Sequence, residues 1–248
     1  MRDDIKVRTH RVYTHHALEP GSEIVVDGKA AHYLGRVLRL SLGEVIVLFN
    51  GDGHDYVAEL LRFGKGEVAL AVTSRLPGAR ESAMKITIAQ AISRGERMDQ
   101  TLQKCTELGA ARFQPLLSER VEVKLQGGKL VNRVEHWQGV VISACEQCGR
   151  AVIPEVSAPM ALYEWLAANG EGQRLLLAPG AARPLARVSF PGPVAIAVGP
   201  EGGFSETEQE QMAVNGVEAV SLGPRVLRTE TAAPAAVAVI QALAGDFT

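Results

Sequence analysis

The first third of the chain carries short apolar runs broken by glycine-rich turns. Glu23-Ile-Val-Val26 predicts a strand, and Lys29 to Leu40 a short helix. Glu44-Val-Ile-Val-Leu-Phe49 and Tyr56-Val-Ala-Glu-Leu-Leu61 flank Asn50-Gly-Asp-Gly53, a hairpin signal, and Glu67-Val-Ala-Leu-Ala-Val72 adds a further strand. The stretch Ser74-Arg-Leu-Pro-Gly-Ala-Arg-Glu-Ser82 has no period and contains a Pro-Gly pair. It marks a boundary between a small β-rich domain, residues 1–73, and a larger one, residues 74–248.

Beyond the boundary, strands and helices alternate. Lys85-Ile-Thr-Ile-Ala-Gln-Ala-Ile92 reads as a buried strand, and Glu96 to Leu108 as a helix stopped by Gly109. Ala111 to Leu117 is a strand, Leu130 to Gln147 a long helix, Ala161 to Ala168 another helix, and Arg174 to Ala178 a strand. Two further strands, Val194 to Val198 and Val217 to Leu222, each run into a Gly-Pro turn that opens a helix. Alternation of this kind predicts an α/β domain with a mostly parallel sheet covered by helices.

Those two turns carry the most chemistry. Gly199-Pro-Glu-Gly-Gly-Phe204 precedes Ser205-Glu-Thr-Glu208, a capping box that fixes a helix start just after the glycines. Gly223-Pro-Arg-Val-Leu-Arg-Thr-Glu-Thr231 is the second. A strand, a glycine turn and a helix start expose main-chain groups at the carboxyl edge of a sheet, where α/β proteins hold ligands. A single such turn is equally what an ordinary strand-to-helix connection looks like. The first turn lacks both the Lys-Ser/Thr ending of a P-loop and the spacing of a dinucleotide fingerprint. Glu201 would sit badly beside a phosphate and suits a cationic or hydroxyl-rich ligand. In the second turn, either Glu230 neutralises a helix N-terminus while Arg225 and Arg228 are solvated, or the arginines meet a polyanion with Glu230 near a proton or a cation. Arg94 and Arg97 open the 96–108 helix, whose spacing favours a surface helix with i,i+3 and i,i+4 charge pairs.

Composition narrows the setting. The net charge is −2, with ten basic and ten acidic residues up to Arg75 and sixteen against eighteen beyond it. Neither part is a basic module, so an RNA site would have to be a local patch. No run approaches the roughly 18 apolar residues of a membrane span, and the start has no apolar signal core. Three cysteines give no disulfide framework, which favours the cytoplasm. Cys145-Glu-Gln-Cys148 is a lone CxxC with no spaced partners for zinc, so free thiols are expected. The early histidines, His15-His16 included, lack a plausible carboxylate or thiolate set, so no metal is expected.

Several blocks in order resemble the bacterial 16S ribosomal RNA uridine-N3 methyltransferases of the SPOUT superfamily. They are His32-Tyr-Leu-Gly-Arg-Val-Leu-Arg-Leu40, Ser93-Arg-Gly-Glu96 with Thr106-Glu-Leu-Gly109, Ser118-Glu-Arg120, and Ala144-Cys-Glu-Gln-Cys-Gly-Arg150. Val198-Gly-Pro-Glu-Gly-Gly203 and Leu222 to Thr231 complete the set, so the resemblance spans nearly the whole chain. It implies a PUA-like RNA-binding β-barrel followed by a trefoil-knotted α/β methyltransferase domain, an exception to the avoidance of knots. It also implies a homodimer, S-adenosylmethionine as cofactor, and the 16S RNA of the small ribosomal subunit as partner.

Carried over by motif, the cofactor site comprises Leu177 and Ala178, then Gly199, Pro200, Glu201, Gly202 and Gly203. Leu222, Gly223, Pro224, Arg225, Val226, Leu227 and Thr231 complete it. Arg228 and Glu230 are the expected catalytic pair, as anion stabiliser and base or orienter. Arg8, Arg11, Arg36, Arg39, Arg94, Arg97 and Arg120 are expected phosphate contacts. A non-catalytic RNA-binding or ribosome-assembly protein, or a SPOUT enzyme acting at another RNA position, would share the fold.

Overall fold

The computed structural model describes residues 10–78, 81–121, 128–168, 170 and 172–247. They form two compact units, one of residues 1–81 with 145–153, the other of 82–144 with 154–248.

The first unit is built on a five-stranded sheet. Its strands are β1 (Arg11–Tyr13), β2 (Glu23–Asp27), β3 (Val45–Phe49), β4 (Tyr56–Phe63) and β5 (Glu67–Arg75). The order is β1-β3-β4-β5-β2, with β1 parallel to β3 and every other pair antiparallel. Strand β2 alternates cleanly, burying Ile24 and Val26 against Leu34, Ile46, Leu48, Leu60 and Leu70. Register shifts at Val57/Ala58 and Leu60/Arg62 place irregularities in the β4–β5 ladder, and such bulges strengthen twist and curl a sheet. Strands β1 and β2 are the edges of this sheet.

The predicted helix to Leu40 is shorter. Helix α1 (Gly28–His32) runs into a single π turn, Tyr33–Val37, closed by the Leu38 N–H donating to the Tyr33 carbonyl. Arg39 then takes φ +53°, which no helix continues through.

The second unit is an α/β domain. Its elements are β6 (Ile86–Ala91), α2 (Arg97–Glu107), β7 (Arg112–Leu117), α3 (Gly128–Cys148, whose last four residues belong to the first unit) and β8 (Glu155–Val156). There follow β9 (Met160–Ala161), α4 (Leu162–Ala167), β10 (Gln173–Leu177), β11 (Arg183–Pro184) and β12 (Val194–Val198). Helix α5 (Glu206–Val214), β13 (Glu218–Ser221) and α6 (Thr229–Ala244) end it.

The strand order is β11-β13-β10-β12-β6-β7-β8, with β9 also on β7, and every pairing is parallel. Strands β6 and β12 are almost wholly buried, as expected of a parallel sheet covered on both faces. Helices α2 and α6 pack together; Met98, Leu102 and Cys105 on one, and Ala233, Val237 and Ile240 on the other, are fully buried.

One topological detail positions the site. Strands β12 and β13 lie on opposite sides of β10. The chains leaving their carboxyl ends therefore separate around the end of β10, opening the kind of crevice in which α/β sheets hold ligands.

Candidate functional site

That crevice is a cavity of about 660 Å³, lined by Leu177–Pro179 after β10, Gly199–Phe204 after β12, and residues of the 222–232 segment after β13. Its size is that of a small-molecule site. Two glycines show why the walls are main chain. A Cβ at Gly199 would lie 3.1 Å from the Gly203 Cα and 3.2 Å from the Phe204 nitrogen, so the first turn folds back on itself too tightly for a side chain. Gly223 sits at φ +86°, where L side chains are strained. The first turn is also anchored from behind. Ser205 caps α5, accepting from the Glu208 N–H at 3.2 Å, while the Glu208 carboxylate accepts from the Ser205 N–H at 2.8 Å. The second oxygen of Glu208 accepts from the Glu119 N–H at 2.9 Å, tying in the 118–121 loop.

The charged rim is organised by two arginines. Arg97 donates to Glu201 at 2.6 Å and lies 3.8 Å from a Glu230 oxygen, so both acidic residues of the rim converge on one guanidinium. Arg120 donates to the Gly202 carbonyl at 2.6 Å. Burial opposes ionisation of Glu201, but its own N–H, the Arg94 N–H and Arg97 together outweigh it and hold the carboxyl below the usual carboxylate range. Glu230 sits in the first turn of α6 with its side chain only 14 % exposed. Its Oε2 is buried and accepts no hydrogen bond from the described residues. Arg228, the N-cap of α6, and Arg225 are exposed on the same rim. Four residues beyond Glu230, Pro234 brings no N–H to the helix ladder, so the first turn of α6 leans on contacts outside the helix.

Of the residues expected around the cofactor, Leu177, Ala178, Gly199 to Gly203, Leu222, Gly223 and Arg225 to Leu227 line this one cavity. Pro224 and Thr231 are exposed and are not among its lining residues. Arg228 and Glu230 line it as well.

The expected phosphate contacts divide. Arg8 lies outside the described residues. Arg11 must be reassigned. Its guanidinium donates to Asp55 at 2.6 Å and to the carbonyls of Cys145 and Arg150 at 2.6 and 2.8 Å, and it stacks 3.9 Å over the Phe49 ring. With 11 % of its side chain exposed, it holds the first unit together instead of facing solvent. Arg36 and Arg39 are exposed. Arg97 and Arg120 reach across to the first glycine turn. Among the described residues, the i,i+3 pairing expected on α2 is found away from the cavity, between Lys104 and Glu107.

Two participants were not singled out by sequence reading. Gln90, fully buried on β6, and Thr229, the first residue of α6, join behind the glycine turn. A glutamine among the buried residues of a largely apolar strand was the available signal. Among the described residues no three His, Cys, Asp or Glu side chains gather as a metal set, and no helix is long and apolar enough to cross a membrane. Cys105 and Cys145 are buried thiols and Cys148 is half-buried, all free.

Comparison with known proteins identifies this architecture. The model of an RNA methyltransferase domain matches residues 80–241, and that of an RNA methyltransferase PUA domain matches residues 26–73. The chain belongs to the RNA methyltransferase family. The PUA-like domain and the methyltransferase domain that the motifs implied are thereby borne out. Relatives in that family include the ribosomal RNA small subunit methyltransferase E of Buchnera aphidicola subsp. Schizaphis graminum, 31% identical over 98% of this chain and 100% of its own length. The protein of that name from Synechocystis is 35% identical over 86% of this chain and 70% of its own length. Among solved structures, the ribosomal RNA small subunit methyltransferase E of Neisseria gonorrhoeae, bound to S-adenosyl methionine, is 39% identical with a TM-score of 0.93. It covers 97% of this chain and 100% of its own. The cavity described above lies wholly within the segment that the RNA methyltransferase model matches.

Proposed function

We propose that this chain is an enzyme that methylates N3 of a specific uridine in the 16S RNA of the small ribosomal subunit, using S-adenosylmethionine. It works as a homodimer in the cytoplasm, with residues 1–73 as the RNA-binding domain and 74–248 as the methyltransferase domain, knotted as in the SPOUT superfamily. The observation that carries this reading is the cavity: main-chain walls from two glycine turns, and carboxylates on its rim where a phosphate site would carry lysine. These residues suit a ligand with a cationic sulfonium and an adenosyl group. Leu222, Val226 and Leu227 offer apolar surface, the turns offer hydrogen-bonding main chain, and Glu201 offers negative charge.

S-adenosylmethionine, when bound, supplies an electrophilic methyl group. The protein's share of the chemistry is positioning and charge. Uridine N3 keeps its proton at neutral pH, so attack requires proton removal and stabilisation of the anion that develops. Glu230 is the candidate base, because its Oε2 is an acceptor with no hydrogen bond from the described residues, on a side chain that lines the cavity. Arg228, one residue away and exposed on the same rim, is the candidate partner for the uridine anion. Arg36, Arg39, Arg94, Arg97 and Arg120 remain candidates to meet RNA phosphates.

Labelled S-adenosylmethionine and small subunits lacking the modification test the reading, with the product mapped by mass spectrometry. N3-methyluridine is expected; its absence while the cofactor binds would overturn the assignment. Arg228→Ala and Glu230→Gln should each lower turnover by about a hundredfold with cofactor affinity retained. Wild-type turnover in both would remove them from the chemistry.

A further inference from the structure

At the wall of the cavity, which Gly199 and Thr229 line, the carboxyl end of β6 meets the start of α6 through a small, largely buried polar cluster. The Gln90 side-chain N–H group donates to the Ala91 carbonyl and to Thr229 Oγ1, both at 2.9 Å, with longer contacts to the Val198 and Gly199 carbonyls at 3.4 and 3.5 Å. Thr229 in turn donates its hydroxyl hydrogen to the Gly199 carbonyl at 2.8 Å. The directions are forced. With three carbonyls around it, the Gln90 terminus can only present its nitrogen, and the threonine hydroxyl, accepting from Gln90, has its own hydrogen left for Gly199. Gln90 Oε1 is left buried and accepts no hydrogen bond from the described residues. A buried amide that tolerates an unsatisfied oxygen is held there for its donors.

The placement gives these bonds a consequence beyond packing. Gly199 begins the first glycine turn, which folds back tightly onto the backbone of Gly203 and Phe204. Thr229 lies between Arg228 and Glu230, on a helix turn that Pro234 deprives of a ladder bond. We propose that Gln90 and Thr229 are positioning residues, a buried clasp that sets the spacing between the first glycine turn and the first turn of α6. It thereby fixes the cavity width that the cofactor meets and the placement of Glu230. The proposal rests on the S-adenosylmethionine reading for its ligand, but the clasp itself is a property of the ligand-free protein.

Two measurements on Thr229→Val, Thr229→Ser, Gln90→Met and the Thr229→Val/Gln90→Met double variant test it. Calorimetric titration with S-adenosylmethionine should show affinity falling about tenfold in Thr229→Val and in Gln90→Met, and staying within about threefold of wild type in Thr229→Ser. The double variant should be no weaker than the weaker single one, because both remove the same connection. Amide hydrogen exchange of the 199–204 segment in ligand-free protein should speed up about tenfold in Thr229→Val and not in Thr229→Ser. Unchanged affinity and exchange in folded Thr229→Val, or additive losses in the double variant, would overturn the clasp. Where Thr229→Val does not fold, Thr229→Ala is measured in its place. Failure of both to fold, with Thr229→Ser normal, would reduce the pair to a stability role and overturn the proposal. Wild-type protein that takes up no cofactor, with the exchange difference intact, would refute the cofactor reading and leave the clasp standing.

Discussion

Removing the Glu208 carboxylate should destabilise the second unit markedly without touching any ligand. The residue is 4 % exposed, and its two oxygens accept from the Ser205 N–H at 2.8 Å and the Glu119 N–H at 2.9 Å. Glu208→Ala removes both charge-assisted bonds and leaves two main-chain donors short of partners, at about 1.5 kcal/mol each, or about 3 kcal/mol together. For a protein of this size that corresponds to a fall of about 6–12 °C in the melting temperature. Glu208→Gln keeps one acceptor and should lose about half as much, while Glu206→Ala on the exposed face of the same turn should be near neutral. Thermal unfolding followed by circular dichroism reads all three at neutral pH. The double-capture reasoning fails if Glu208→Ala melts within about 2 °C of wild type, or if Glu206→Ala is equally harmful.

Other substitutions probe separate features. Arg11→Gln should destabilise the first unit by about 3 kcal/mol, since it strands the Asp55 carboxylate and two carbonyls, yet leave the salt dependence of RNA binding unchanged. A flatter salt slope with normal stability would restore Arg11 as a phosphate contact. Gly199→Ala has no flexible neighbour to yield, only the backbone of Gly203 and Phe204, so cofactor affinity should drop at least tenfold, measured by calorimetry. An alanine variant that binds normally would show that the turn can open. Burial pushes the Cys145 thiol up to about 12, with Cys148 and Glu81 adding and Arg150 and Arg11 opposing. At pH 8 a thiol reagent should label only Cys148 in the folded protein and all three cysteines after unfolding; native labelling of Cys145 would contradict its burial.

The parts of this fold that announce themselves in sequence are those whose causes are local. The Ser205–Glu208 cap, the stop near Gly109 and the strand-then-glycine pattern at Val198 and Leu222 each follow from a few adjacent residues, and the structure places them where the pattern says. Strands β1, β8, β9 and β11 have two or three residues each, too few to make a period. The partners of Arg97 were equally hidden. Helical spacing looks three or four residues ahead, whereas Glu201 lies 104 residues away and reaches Arg97 only because β12 pairs with β6. Arg11 misled for the same reason: an arginine that closes an ion pair 44 residues away is written in the same letter as one that meets a phosphate. Gln90 was visible as a polar residue in a buried strand, but its partner became evident only once α6 was in place.

The main-chain walls of the cavity also limit how its selectivity can be redesigned. Pockets lined by side chains are commonly widened by trimming one of them, so that a bulkier analogue of the ligand enters. Here the glycine turns have nothing to trim, and enlarging them means rebuilding a loop closed on itself. Room for a modified cofactor has to come from the apolar side chains that share the lining, Leu177, Leu222 and Leu227 among them. An engineered enzyme–analogue pair would begin at those three positions and leave Gly199 and Gly223 untouched.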